Sequence, residues 1–232
     1  MKIRQFRYGA DNLGYVIYGQ KSAAVVDGGA AADILRFAEQ RGLIIKYVTN
    51  THSHPDHTSG NFDLLEKTQA GYLDFQTLLK TGGFEIDGHQ VQVLHTPGHT
   101  RDSVCFYTPP LLVSGDTLFN GKVGRCFTGD VENFLASVKK LLALPGETVV
   151  YAGHDYFEEY VEFIRSLEPD NPYIDSYLEK YDPAHVFTSL DDEKKVNPFL
   201  RFNDEKIIEV LKSRGFSAEN EMQRWQSLIS LM

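Results

Sequence analysis

Nowhere in the 232 residues does an apolar run approach the roughly 18 residues that a bilayer-crossing helix needs, and no basic, apolar-cored leader opens the chain. These absences argue against a membrane protein and lead us to expect a cytoplasmic one. Cysteine is scarce. Cys105 and Cys126 are the only two, too few for a disulfide framework and without the Cys-x-x-Cys spacing of a thiolate metal site. Positive charge is in deficit as well, with 23 Lys and Arg against 32 Asp and Glu. The resulting formal charge of −9 repels phosphate backbones and anionic lipids, so neither nucleic acid nor membrane is an expected partner. No Gly-x-Ser-x-Gly occurs and neither cysteine has the surroundings of a protease nucleophile, which disfavours covalent catalysis. Repeats and low-complexity tracts are missing too, so a solenoid or a linker-rich chain is not expected.

What remains is ordinary globular material: 42% apolar and 24% charged residues, in a length that suits one large domain or one domain with an appendage. Short runs rich in β-branched and aromatic residues, bounded by Gly, Pro, Asn or Asp, read as strands. They are "LGYVIY", "SAAVVD", "KYVTN", "HQVQVLH", "SVCFYT", "LLVSGD" and "TVVYAGH". Cys105, inside one of them, reads as a core residue. After Asp130, a candidate N-cap, Val131, Phe134, Leu135, Val138, Leu141 and Leu142 follow helical spacing until Pro145-Gly146, and this helix should cover one face of a sheet.

From about residue 157 the pattern turns helical. Phe157, Tyr160, Val161 and Ile164 make one stripe, and Asn171-Pro172 reads as a cap and first position leading to Ile174, Tyr177, Leu178 and Tyr181. Asn203, with Asp204 and Glu205 in its first turn, opens another helix that Gly215 closes. Ser217 opens the last, with Met222, Trp225, Leu228 and Ile229 inward. The expectation is an α/β body followed by a helical addition.

The histidines are distributed unevenly. "HSHPDH" places His52, His54, Asp56 and His57 in six consecutive positions three residues after the apolar "IIKYV", at an expected strand end. Three further candidates repeat one arrangement of strand, small-residue turn and ligand: His99 in "TPGHT", Asp116 in "VSGDT" and His154 in "YAGHDY". Imidazole and carboxylate on rigid strand-end loops suit a divalent metal, and seven such residues make two adjacent sites. Aspartate suits a shared position, because its two oxygens reach two cations while its charge offsets their repulsion. His89, His95 and His185 lie outside this set.

This pattern, His-x-His-x-Asp-His followed by His, Asp and His on later loops, resembles the metallo-β-lactamase superfamily over roughly residues 1–165. The resemblance implies an αββα sandwich, four layers built on two mixed β-sheets, with a C-terminal helical region over residues 166–232. It also implies a ligand assignment: His52, His54 and His99 on one metal, Asp56, His57 and His154 on the other, and Asp116 between them. Zinc is the first expectation, and iron or manganese suits the same mixed donor set. Asp27 in "VVDGG" matches an aspartate that supports the site from behind, although an Asp before two glycines also forms turns.

Two cations sharing a water lower its pKa toward about 7 and stabilise the oxyanion formed at a carbonyl, so the implied chemistry is hydrolysis by a metal-bridging hydroxide. Asp56 is the candidate to serve also as proton acceptor. Substrate clues are narrower. "GDTLFNGKVGRCFTGD", "GHDY", "SLEPDNPYI" and "KVNPFLRF" resemble segments of glyoxalase II, the hydroxyacylglutathione hydrolase family. That resemblance implies a small-molecule thioester partner carrying a glutathione-like thiol, with Arg125, Phe127, Tyr156 and Arg201 as substrate-binding residues. Arg201 would bind a carboxylate of the thiol, but an Arg there is equally placed to cap a helix or pair with Asp204. Departures from the family fall on the pocket wall: "DGG" for Asp-Pro-Gly, Asp155 for Glu, and "RDS" at 101–103 for Leu-Gly-His. They leave room for a thioester of another small thiol. The main alternative is a persulfide dioxygenase of the same fold using a single iron; a non-catalytic metal protein and a nuclease are weaker ones. The sequence carries no indication of oligomeric state.

Overall fold

Along the strand Asn12–Tyr18 every residue is buried, yet the side chains divide by parity: Leu13, Tyr15 and Ile17 join one core, and Val16 and Tyr18 join another. A strand buried on both faces must lie between layers, since successive side chains point to opposite sides. The computed structural model, which describes all 232 residues, shows those layers.

The first sheet runs in the order β1 (Lys2–Tyr8), β2 (Asn12–Tyr18), β3 (Ser22–Val26), β4 (Ile44–Thr49), β5 (Gly71–Leu73). Its first two pairings are antiparallel and its last two parallel. The second sheet runs β11 (Thr188–Ser189), β10 (Val149–Ala152), β9 (Leu111–Gly115), β8 (Val104–Thr108), β7 (His89–His95), β6 (Gly83–Ile86), and only β9 and β10 are parallel. Both sheets are therefore mixed. Between them, Leu13, Tyr15, Ile17, Ala24 and Val26 meet Phe84, Val91, Phe106, Val113 and Tyr151.

Helices cover the outer faces. α1 (Ala31–Arg41) sets Ile34 and Ala38, and α3 (Asn61–Lys67) sets Leu64, against Val16, Val25 and Val48. Between those helices lies the single turn α2 (Pro55–Thr58), and α4 (Phe75–Thr81) buries Leu78 at the end of the inter-sheet core. On the other side α5 (Val131–Leu142) sets Phe134, Leu135, Val138 and Leu141 against Cys105, Leu112 and Val150. Asp130 caps it, accepting from the Asn133 amide at 3.0 Å. This is the αββα sandwich, with helix α5 on the face the sequence spacing indicated.

The C-terminal stretch does not form a core of its own. α6 (Phe157–Leu167) and α7 (Ile174–Leu178) close one end of the inter-sheet core through Phe157, Ile164, Ile174 and Tyr177. α8 (Leu190–Val196), α9 (Glu205–Ser213) and α10 (Glu221–Ile229) pack Leu190, Leu211 and Trp225 onto the α5 side. Glu193 of α8, wholly buried, accepts from Gly121 N at 2.9 Å, Tyr177 Oη at 2.5 Å, Thr188 Oγ1 at 2.7 Å and Asn197 Nδ2 at 2.9 Å. Four donors offset the burial of one carboxylate and fasten this stretch under the loop that follows β9.

Several boundaries differ from the sequence reading. Asn171 does not cap a helix beginning at Pro172: α7 starts at Ile174, and the Asn171 amide is used by Tyr173 N and Lys195 O. Asp204 rather than Asn203 caps α9, accepting from Lys206 N, and Asn220 rather than Ser217 caps α10, accepting from Gln223 N. For α9 and α10 a second capping-type residue lay within a few positions, and local composition does not choose between them. Strands β1, β5, β6 and β11 also went unread, being edge or near-edge strands with weak apolar alternation.

Trp225 joins the two halves most directly. Its ring lies edge-on to Phe134 at 5.6 Å, and its Nε1 donates to Val131 O at 2.8 Å. Trp225→Ala should cost about 3–5 kcal/mol, measured as a shift in the urea unfolding midpoint. A change below about 1 kcal/mol would show that the C-terminal helices are not part of the cooperative core.

Candidate metal centre

All seven expected ligands leave the C-terminal end of a strand. β4 ends at Thr49, the chain bends at Thr51 and His52, and His54 is extended again at φ −61° and ψ 143°. Pro55 then opens α2, its fixed φ suiting a first helical position, and the turn swings Asp56 and His57 away from that segment. His99 follows β7. Asp116 and His154 follow β9 and β10, which are parallel neighbours with Gly115 opposite Ala152, so the two ligands emerge side by side.

The structure brings the seven together. His52 Nε2 and His99 Nε2 lie 2.8 Å and 3.1 Å from His54 Nδ1. On the other side His57 Nε2 lies 3.2 Å from His154 Nε2, and Asp56 Oδ2 lies 3.4 Å and 3.3 Å from those two nitrogens. Asp116 stands between the groups: Oδ1 is 3.4 Å from His57 Nε2, and Oδ2 is 3.4 Å from His99 Nε2 and 3.5 Å from His154 Nε2. Close backbone approach makes this possible. A Cβ on Gly153 would lie 2.1 Å from Asp116 Oδ1, and one on Gly124 would lie 1.8 Å from Asp116 O.

The far side of the imidazoles is occupied. His57 Nδ1 is 2.9 Å from Asp27 Oδ2, His154 Nδ1 is 2.8 Å from Asp11 Oδ1, His99 Nδ1 is 2.9 Å from Arg125 O, and His52 Nδ1 is 3.1 Å from Thr51 Oγ1. An imidazole that donates from Nδ1 presents a lone pair at Nε2, which is how metal-ligating histidines are oriented. Asp27, itself wholly buried, also accepts from Thr51 N and Oγ1 at 2.8 and 2.7 Å.

The electrostatics fit a cation. Burial would disfavour charge on Asp116, but the neighbouring His154 and His57 imidazoles hold its carboxyl well below the usual range, and its buried Oδ1 has no hydrogen-bond partner. Burial likewise opposes charge on His57, yet Asp27 and Asp116 push it up to about 11. Carboxylates that stabilise positive charge on an imidazole so strongly favour a metal ion in its place. His52 is lowered to about 4, first by burial and then by His57, so its lone pair is free. Asp56 stays low in spite of partial burial because His57 and the Asn12 amide favour its anion. The residues fit a pair of divalent cations.

Comparison with known proteins agrees with this geometry. The Metallo-beta-lactamase superfamily matches residues 11–73 and 71–154, and Hydroxyacylglutathione hydrolase C-terminus matches residues 155–228. Hydroxyacylglutathione hydrolase of Idiomarina loihiensis is 37% identical over 211 residues, covering 84% of this chain and 83% of that protein. The chain belongs to the hydroxyacylglutathione hydrolase family. The enzyme of that name from Cupriavidus metallidurans is 34% identical over 234 residues, covering 88% of each. A solved structure, TTHA1623 in a di-iron-bound form, superposes with a TM-score of 0.61 at 26% identity, covering 85% of this chain and 100% of that one.

Among the hydroxyacylglutathione hydrolase positions expected to meet substrate, three border the centre. The Phe127 ring, 59% exposed, lies 5.1 Å from that of His99, with the Arg125 guanidinium 5.3 Å above it. Tyr156 stacks on His154 at 5.1 Å and 4°. Arg201 is paired within the chain. Its guanidinium forks onto Glu168, at 2.5 and 3.0 Å, and onto Asp204, at 3.1 and 2.8 Å, so two carboxylates already occupy the geometry a substrate carboxylate would use. The sequence reading missed Asp11, Asn12 and Thr51, and the Arg125 carbonyl. Asp11 and Asn12 had a local signal, a polar pair before a strand, but only the close approach of Leu13 N to Gly153 O, 2.8 Å, tells which histidine they serve.

Asp27→Asn removes the anion behind His57, and metal affinity should fall about 10–100-fold. Chelator competition would measure it, with circular dichroism to verify the fold. Unchanged affinity in a folded variant would refute a supporting role.

Proposed function

We propose that this protein hydrolyses S-D-lactoylglutathione, or a closely related hydroxyacyl thioester, to the free acid and thiol. One observation carries the reading: an aspartate standing between two imidazole sets, with ring nitrogens of His57, His99 and His154 within 3.5 Å of its oxygens. His52, His54 and His99 would hold one cation, Asp56, His57 and His154 the other, and Asp116 both. Zinc is the proposed metal. Iron is the first alternative, given the di-iron form of TTHA1623, and manganese suits the same donors. Residues 1–165 are assigned to the catalytic body and residues 166–232 to the helical region beside it.

When bound, such a pair lowers the pKa of a shared water toward about 7 and polarises a carbonyl oxygen. The chain's residues account for the rest. The side chain of Asp56 is 43% exposed, against 7% for Asp116, so Asp56 is the carboxylate able to take the proton of the attacking water and pass it outward. Asn12 Nδ2, 2.8 Å from Asp56 Oδ2, holds it in place. As the water oxygen bonds to the acyl carbon, the carbon–sulfur bond breaks. Sulfur departs as thiolate, an easier leaving group than alkoxide because thiol pKa is about 8.5, and is then protonated by solvent. Phe127 and Arg125 on one side, and Tyr156 on the other, are proposed to receive the substrate across the opening.

Purified protein reconstituted with zinc should release free thiol from S-D-lactoylglutathione, and chelation should abolish the activity until metal is restored. Absence of turnover in metal-loaded protein, or oxygen uptake with glutathione persulfide, would reject the thioesterase reading. Asp56→Asn should lower kcat by about 10²–10⁴-fold; retention of full kcat would remove Asp56 as proton acceptor.

A further inference from the structure

If the substrate is a glutathione thioester, its thiol half carries two carboxylates, and Arg201 is committed to Glu168 and Asp204. Arg125 at the opening can meet one of these carboxylates, which leaves the other in need of a cation on the opposite side. Lys122 is the one that the wall beside His154 supplies. It lies in the loop between Asp116 and Arg125, turned back on itself by the bond from Phe119 N to Lys122 O at 2.8 Å and the Leu118–Val123 bridge. Its Nζ sits 4.8 Å from the Tyr160 ring centre and 4.6 Å from that of Phe163.

Three features distinguish it from an ordinary surface lysine. Lys139 and Lys180 pair with Glu221 and Asp192, whereas Lys122 has no carboxylate in ion-pair contact and Glu159 only attracts it from further off. It is half-buried, and burial lowers its pKa, as expected of an ammonium that has lost hydration without gaining a counter-ion. Finally, it ends a continuous aromatic wall that begins at the centre itself. His154 stacks on Tyr156 at 5.1 Å, Tyr156 meets Tyr160 at 5.4 Å, and Tyr160 meets the Lys122 ammonium. These steps set an upper limit on the separation, and an extended tripeptide alone spans about 10 Å before its acyl group is added.

We propose that Lys122 anchors a carboxylate of the substrate's thiol half, at the far end of the wall formed by Tyr156 and Tyr160. The proposal rests on the thioesterase reading and makes Lys122 a specificity-determining residue with no part in bond breaking. A desolvated ammonium without a counter-ion gains more from an anion than a hydrated one does, and the flanking rings hold the ammonium in place.

The test uses metal-loaded full-length protein and two competitive inhibitors, S-methylglutathione and its diethyl ester, which differ only in their carboxylates. Wild-type protein should prefer the free acid about 10-fold. Lys122→Met, whose thioether keeps the packing between the rings, should lose that preference and raise KM for S-D-lactoylglutathione about 10-fold with kcat within about twofold. Lys122→Arg should retain both. Survival of the free-acid preference in Lys122→Met, or equal weakening of both inhibitors, would overturn the anchor and leave the hydrolase reading intact. Failure of wild-type protein to release thiol would instead overturn the hydrolase reading, on which the anchor depends.

Discussion

Five imidazoles and two carboxylates held within about a hydrogen bond of one another cannot be stable neighbours unless positive charge lies among them. Their donor atoms face one another, the far sides of His52, His57, His99 and His154 are tied down, and most are buried. In water such groups would repel and hydrate separately; here the surrounding sandwich holds them at contact. The cost is met by the inter-sheet core, whose apolar burial is indifferent to what the strand ends carry. Proton or metal ion completes the balance, and the family of hydrolases to which this chain belongs uses the metal.

The scaffold achieves convergence with parallel strands. β3 and β4 deliver Asp27 beside Thr51, and β9 and β10 deliver Asp116 beside His154. Because parallel neighbours end in the same direction, two ligands from sequence-distant loops arrive together without a long reach. The two sheets meet at one edge through Leu13 and Gly153, where Asp11 turns back onto His154. For His154, ligand and support thus come from opposite sheets. The C-terminal helices contribute differently: by burying Glu193 against Gly121 they brace the loop that carries Lys122, Arg125 and Phe127, and so shape the wall rather than the ligand shell.

Much of the centre was legible in the sequence because its chemistry is local. "HSHPDH" declares its purpose by composition, and each later ligand follows the same succession of apolar strand, small turn and donor. The α/β body was legible in its short apolar runs, whereas the αββα layering followed from the family resemblance; the burial of Asn12–Tyr18 on both faces shows the physical need for those layers. Helix starts were less so, because Asn203 and Asp204, or Ser217 and Asn220, offer near-equivalent caps and the choice depends on what each backbone turn packs against.

The sequence by itself determined which donors exist and that each sits at a strand end, because residue type and a period of two or of about 3.6 are properties of a single segment. Only the tertiary structure decided which side chains meet. Arg201 looks like a free carboxylate binder until Glu168, 33 positions away, takes its fork. Lys122 looks like a solvated loop lysine until Tyr160 and Phe163 flank it. Asp11 gains a partner 143 positions away. The strength of a charge depends on its neighbours and on the water it has lost, and both are fixed by contacts between segments that no local pattern encodes.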